Sequence, residues 1–206
     1  MLPRLINRLA PVAMLLPLAG CVAPTGPIEV TRFHVPDTAA LGHGAIAVEA
    51  APGMDAGSIE LRTYEEAVAR ELQRVGYSTV AAGGAPAGAP QVAEVRLERE
   101  TLEPARARSP VSVGVGGSTG SYGSGLGVGV GIDLSGPPPR MTETLLAVTI
   151  RAGRGGAVLW EGRARFTVRA DSPLATTPLG AAQMAAALLA NFPGRSGETV
   201  LVKPAS

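Results

Sequence analysis

Few side chains in this sequence could do chemistry, and their neighbours decide what each could do. Gly116-Gly117-Ser118-Thr119-Gly120 fits the G-x-S-x-G pattern of a serine-hydrolase elbow. That mechanism needs a strand, a sharp turn and a helix, with an acid and a histidine following the serine. Both histidines, His34 and His43, precede Ser118, and the segment is so rich in Gly and Ser that chance produces the pattern. His34 with Asp37 or His43 falls short of the three or four ligands a zinc site takes. Glu65 with Glu66, and Glu94 with Glu98 and Glu100, could pair carboxylates, but charges on a solvated face explain them. No G-x-x-x-x-G-K-[ST] phosphate loop occurs, since Lys203 in the tail is the only lysine, and no complete G-x-G-x-x-G occurs either. There remains Cys21, the only cysteine, directly after Leu18-Ala19-Gly20. The expectation is no catalytic residue, no metal site and no cofactor.

Cys21 closes a segment of secretory type. Arg4 and Arg8 are followed by an apolar run from Leu9 to Leu18 and then by small residues, which marks 1–20 as a signal peptide. The apolar run is about half the ~20 residues of a membrane-spanning helix. Leu18-Ala19-Gly20-Cys21 resembles the bacterial lipobox, which implies a diacylglyceryl group on the Cys21 thiol, cleavage before it and acylation of the new N-terminus. One myristoyl chain binds a membrane only reversibly, whereas two anchoring signals hold stably, so three chains on Cys21 would keep the protein there. Acylated, Cys21 is unavailable for disulfides, thiolate metal sites or nucleophilic attack. Lipoproteins retained in the inner membrane commonly carry aspartate after the cysteine. Val22 stands here, which by that resemblance implies the outer membrane, facing the periplasm.

Without Arg4 and Arg8, the 18 Lys and Arg fall to 16 against 17 Asp and Glu, with no basic block. Nucleic-acid binding would leave clustered Lys and Arg, so no nucleic-acid partner is expected. Aromatic residues at 3% are too sparse for stacking platforms. Residues 21–27, with two prolines and a glycine, read as a lipidated tether, and 28–206 as one domain with a real core.

Ile28 to Val35 reads as a first strand, with Ala45 to Ala51 as its partner. Leu61, Tyr64, Val68, Leu72 and Val75 fall at helical spacing, with Glu65, Glu66, Arg70, Glu71 and Arg74 on the other faces and Gly76 as cap. Tyr77 to Ala82 and Val92 to Leu102 read as strands. Val111, Val113 and Val115, and later Leu126, Val128, Val130, Ile132 and Leu134, alternate with Gly, Ser and Asp133 around a turn-rich Gly116 to Gly125. This predicts a Gly-rich β-hairpin over 110–135. Leu146, Val148 and Ile150 share a face, as do Val158, Trp160, Gly162, Ala164, Phe166 and Val168. Thr177 reads as the N-cap of a helix with Pro178 at its first position, ended by Phe192-Pro193-Gly194. The tail offers a short strand at Val200-Leu201-Val202. The expected fold is α+β: an antiparallel sheet with two amphipathic helices on one face and a protruding Gly-rich hairpin.

Leu72 to Tyr77 (L-Q-R-V-G-Y), the Gly-rich hairpin, Val158 to Ala164 (V-L-W-E-G-R-A) and Leu188 to Pro193 (L-L-A-N-F-P), in that order behind a lipobox, resemble the bacterial lipoproteins carrying domain of unknown function 4136. The likeness covers roughly Pro27 to Gly194. It departs at Pro90-Gln91, where that family often has Pro-Asp. The resemblance implies fold and location and no catalytic residues. The expected function is a non-catalytic structural or interaction lipoprotein of the cell envelope, with an auxiliary lipoprotein of an envelope transport system as alternative. A serine hydrolase acting through Ser118 is the weakest reading. The glycine face at Gly114, Gly127, Gly129 and Gly131 is the candidate interaction surface for an envelope partner or a second copy, because unguarded strands recruit others. The plainer reading, which comes first, is that the hairpin packs closely on its own domain.

Overall fold

The computed structural model describes residues 26–80, 91–103, 111–120, 123–132 and 138–205. The expected signal peptide over 1–20, Cys21 and most of the expected tether over 21–27 lie outside these residues. In chain order the elements are β1 (Ile28–His34), β2 (Ala45–Ala50), α1 (Ile59–Arg74), β3 (Ser78–Val80), β4 (Gln91–Leu102), β5 (Val111–Gly120), β6 (Gly123–Ile132), β7 (Met141–Arg151), β8 (Val158–Arg169), α2 (Thr177–Leu189) and β9 (Thr199–Val202). A 3-10 turn at Pro173–Ala175 precedes α2.

Seven strands form one sheet in the order β3-β2-β4-β7-β8-β1-β9. The chain is therefore α+β, but the sheet is mixed, not purely antiparallel. β2 runs parallel to both β3 and β4, while the remaining neighbours are antiparallel. Parallel neighbours need a long crossover, and α1 supplies it between β2 and β3. β1 is not the partner of β2 either. It lies between β8 and β9, joined in space to strands more than a hundred residues away.

α1 follows its local sequence closely. The Ser58 hydroxyl accepts from the Leu61 amide at 3.2 Å, an N-cap, and Glu60 and Arg74 suit the dipole at their respective ends. Its end is a Schellman motif: Gly76 at φ 110° donates to Gln73, and Tyr77 donates to Leu72 at 3.0 Å. Leu61, Tyr64, Val68 and Leu72 are buried as the spacing predicts, while Val75 is only half-buried, and Ala67 and Glu65 join the buried face, Glu65 against the expectation of a solvated side. α2 begins one residue earlier than expected. Thr176 is its N-cap, without a side-chain bond, and Thr177 is already helical, its hydroxyl donating to Glu60 at 3.0 Å.

Every second residue of β7 from Thr142 to Ile150 is buried, as are Trp160, Gly162, Ala164, Phe166 and Val168 of β8. The large apolar side chains among them share one cluster with Leu61, Tyr64, Val68 and Leu72 of α1 and Met184, Leu188 and Leu189 of α2. Val158 leaves this pattern and is 39% exposed. A register shift between Ile150 and Arg151 breaks the alternation just where Val158 pairs.

β4 and β7 pair along their whole length, to Leu102 opposite Met141. The insertion between them thus leaves and rejoins the sheet at adjacent positions. It contains β5 and β6, which pair with each other as a separate two-stranded sheet. Both strands run further than expected into the Gly116–Gly125 stretch, with Gly120 opposite Gly123.

Candidate functional site

The most concentrated polar chemistry among the well-packed residues lies where β1 meets the end of α2. Arg32 shares the inward parity of Ile28 and Val30 and is only 6% exposed. Its Nε donates to the Leu188 carbonyl and its Nη2 to the Ala187 carbonyl, both at 2.8 Å. The last carbonyls of a helix lack partners inside the helix and carry partial negative charge, so a planar guanidinium answers both needs at once. Burial pulls the Arg32 pKa below its usual value, and Glu198 offsets part of that.

The segment after α2 closes this corner. Asn191 takes a left-handed conformation at φ 55°, which Asn tolerates better than most residues. Phe192 then packs against Trp160, with ring centroids 5.2 Å apart, and meets the Tyr77 ring nearly edge-on at 6.1 Å. The Trp160 indole N–H donates to the Pro193 carbonyl at 2.9 Å. Gly194, at φ 82°, passes so close to Arg32 that a Cβ there would stand 2.8 Å from its Cδ. His34 belongs to the same corner: its ring nitrogens lie 2.8 Å from the Val35 carbonyl oxygen and 3.3 Å from that of Gly194. An open cleft of about 480 Å³ adjoins, lined by Arg32, Asn191, Arg195, Glu198, Val200 and others. Two guanidiniums and one carboxylate could hold a small anion there; the described lining includes no hydroxyl or thiol side chain. A second cleft of about 490 Å³ lies among the outward side chains of the sheet, lined by Phe33, Arg96, Glu98, Leu145, Arg163 and Arg165 among others.

The residues singled out from sequence are dispersed. Ser118 lies within β5, opposite Gly125, and β5 leads into another strand instead of a helix. His43 contacts the Leu41 carbonyl oxygen at 3.2 Å. Glu94 is paired with Arg151 at 3.0 Å, whereas Glu98 and Glu100 are exposed further along the same strand. Glu65 is 8% exposed, and burial raises its pKa, with Glu49 and Glu66 adding to the rise and Arg62 opposing it. No group of three or more His, Cys, Asp or Glu able to hold a metal occurs among the described residues. In the hairpin Gly114 stands opposite Gly129, Gly127 opposite Gly116 and Gly131 opposite Ser112. Sequence reasoning passed over Arg32, although its place two residues after Val30 on an alternating strand was the available signal.

No family model matches the chain, and no curated protein matches it. Among solved structures it is similar to PelC dodecamers from Paraburkholderia phytofirmans in two crystal forms. The identities are 15% and 16% and the TM-scores 0.43 and 0.40, each over 82% of this chain and 99% of that one. It is also similar to a PDZ domain protein from Parabacteroides distasonis, at 12% identity and a TM-score of 0.44, over 86% of this chain and only 39% of that one.

Proposed function

We propose that the protein is a lipid-anchored lipoprotein of the cell envelope, held through Cys21 and acting by binding, not catalysis. The observation that carries this reading is Leu18-Ala19-Gly20-Cys21 at the end of a short apolar run, with the first strand of the folded domain starting at Ile28. On this reading the outer membrane, facing the periplasm, is the destination, and the order of motifs makes the chain a member of the lipoproteins carrying domain of unknown function 4136. α1 and α2 cover a single face of the sheet, and the β5–β6 hairpin stands out from it as the interaction element. Gly114, Gly127, Gly129 and Gly131 leave its backbone bare.

Two substitutions test the two halves of the proposal. Cys21→Ser should release the protein from the membrane fraction or leave its signal uncleaved, while the wild type partitions into detergent. Replacing 111–132 by a short Gly-Ser link should abolish crosslinks in intact envelopes while the thermal transition stays nearly unchanged. Persistent crosslinks, or loss of the fold, would make the hairpin ordinary domain structure.

A further inference from the structure

The β5–β6 hairpin has the dimensions and residue pattern of a membrane-crossing unit. Each strand is ten residues long. At about 3.3 Å per residue that is ~33 Å of strand, and a tilt of about 40° reduces its height to ~25 Å, the height of the apolar band of a transmembrane barrel. The register sorts the residue types by face. Val111 stands opposite Ile132, Val113 opposite Val130, Val115 opposite Val128 and Gly117 opposite Leu126, all on one parity, which ends on Thr119 opposite Ser124. The other parity carries only Gly and Ser: Ser112 with Gly131, Gly114 with Gly129, Gly116 with Gly127 and Ser118 with Gly125. No charged residue occurs from Val111 through Ile132; Arg108 and Asp133 are the nearest on either side.

In water such a hairpin has little to hold it. Two strands alone are marginally stable, glycine in strand interiors weakens them further, and among the described residues neither strand pairs with anything except the other. A bilayer reverses that balance for the apolar parity, but it forbids open edges, because every backbone N–H and C=O within it needs a partner. One hairpin has two open edges. They are satisfied only when hairpins pair side by side and the ring closes. No described helix is long and apolar enough to cross a membrane, which leaves crossing by strands open.

We infer that β5 and β6 insert into the bilayer and that several copies of this chain close their hairpins into one β-barrel. The Val/Leu/Ile parity faces lipid, and the Gly/Ser parity faces a wet interior. With two strands per chain, the smallest barrels of about eight strands take roughly four copies. The inference names the hairpin's partner as further copies of the same chain, and it is separate from the anchoring at Cys21.

Cysteine placed at 127, 128, 129 and 130 in turn, in the full mature chain carrying an environment-sensitive fluorophore, tests it in phosphatidylethanolamine–phosphatidylglycerol vesicles. Nitroxide-bearing lipid should quench the label of Val128→Cys and Val130→Cys several-fold more than that of Gly127→Cys and Gly129→Cys. Crosslinking of the same vesicles should give species of four copies or more. Uniform quenching across the four positions, labels all in water, labels buried but out of reach of lipid, or a crosslinked monomer would each overturn it. Flotation of the vesicles reads anchoring independently, and Trp160 emission reports that the variant domains are folded. A chain that floats without alternating quenching therefore fails as a barrel while remaining anchored.

Discussion

Gly162→Ala probes the contact that fixes the Trp160 corner. A Cβ built on Gly162 falls well inside contact distance of Trp160 Cη2 and lies 2.8 Å from both Trp160 Cζ2 and Leu188 Cδ1. The indole has little freedom to retreat, because its N–H is bonded to Pro193 at 2.9 Å and its ring rests on Phe192. The Leu188 side chain is fully buried in the same cluster, which limits its room to move. Overpacking of this kind costs about 1–3 kcal/mol, and three contacts this short place the cost near ~3 kcal/mol. Gly162 has no positive φ, so alanine recovers about 0.4–1 kcal/mol through the unfolded state. The net loss should be roughly 2 kcal/mol, or a fall in Tm of about 4–8 °C for a domain of this size. Trp160→Phe removes the clashing atoms of the six-membered ring. In that background Gly162→Ala should cost almost nothing, giving a coupling of about 2 kcal/mol in a double-mutant cycle. Urea unfolding followed by far-UV circular dichroism measures all four variants without relying on the indole. A coupling below about 0.5 kcal/mol, no larger than the scatter between independent sites, would refute the claim that the indole lies over Gly162.

Arg32→Met should destabilise by about 2 kcal/mol, because two helix-end carbonyls lose a charged donor; Arg32→Lys should recover only part of this, since a single ammonium does not span both carbonyls. Equal stability of Arg32→Met and wild type in urea would remove Arg32 from the corner. Ser58→Ala should cost about 1 kcal/mol through loss of the α1 cap, read as a lowered urea midpoint with an unchanged slope. Glu65 has a folded pKa raised by burial, so the folded state binds its proton more tightly than the unfolded one. Its contribution is fully present below the unfolded value of about 4.3 and is lost as pH rises through the folded one. Glu65→Gln should therefore be more stable than wild type at neutral pH and flatten the decline above about pH 4.3. A variant that tracks the wild-type pH profile would place the Glu65 carboxylate in water.

What could be read from sequence was local. The buried stripe and glycine cap of α1 follow from the Leu61–Leu72 spacing and Gly76, all within twenty residues of chain, whereas the Ser58 cap came from the structure. The β8 face followed from alternation until the bulge at Ile150/Arg151 displaced Val158. Sheet order did not follow, because β1 pairs with β8 and β9 while the neighbouring segment in sequence, β2, lies with β3 and β4. Glu65 lies four residues after Leu61 and three before Val68, so the stripe covers it despite its charge. The Arg32 corner needed tertiary structure: it joins residue 32 to residues 187–198, and nothing local in either segment announces the other. Cys21 is the reverse case: its expected role rests on sequence alone, and it lies outside the described residues.

The mass of the N-terminal peptide of the mature protein, taken from its native membrane, decides whether this is a lipid-anchored protein. A chain that begins at Cys21 and carries a diacylglyceryl thioether with an acylated α-amino group is the result predicted. A mature chain with an unmodified Cys21, or one cut at another residue, would contradict it.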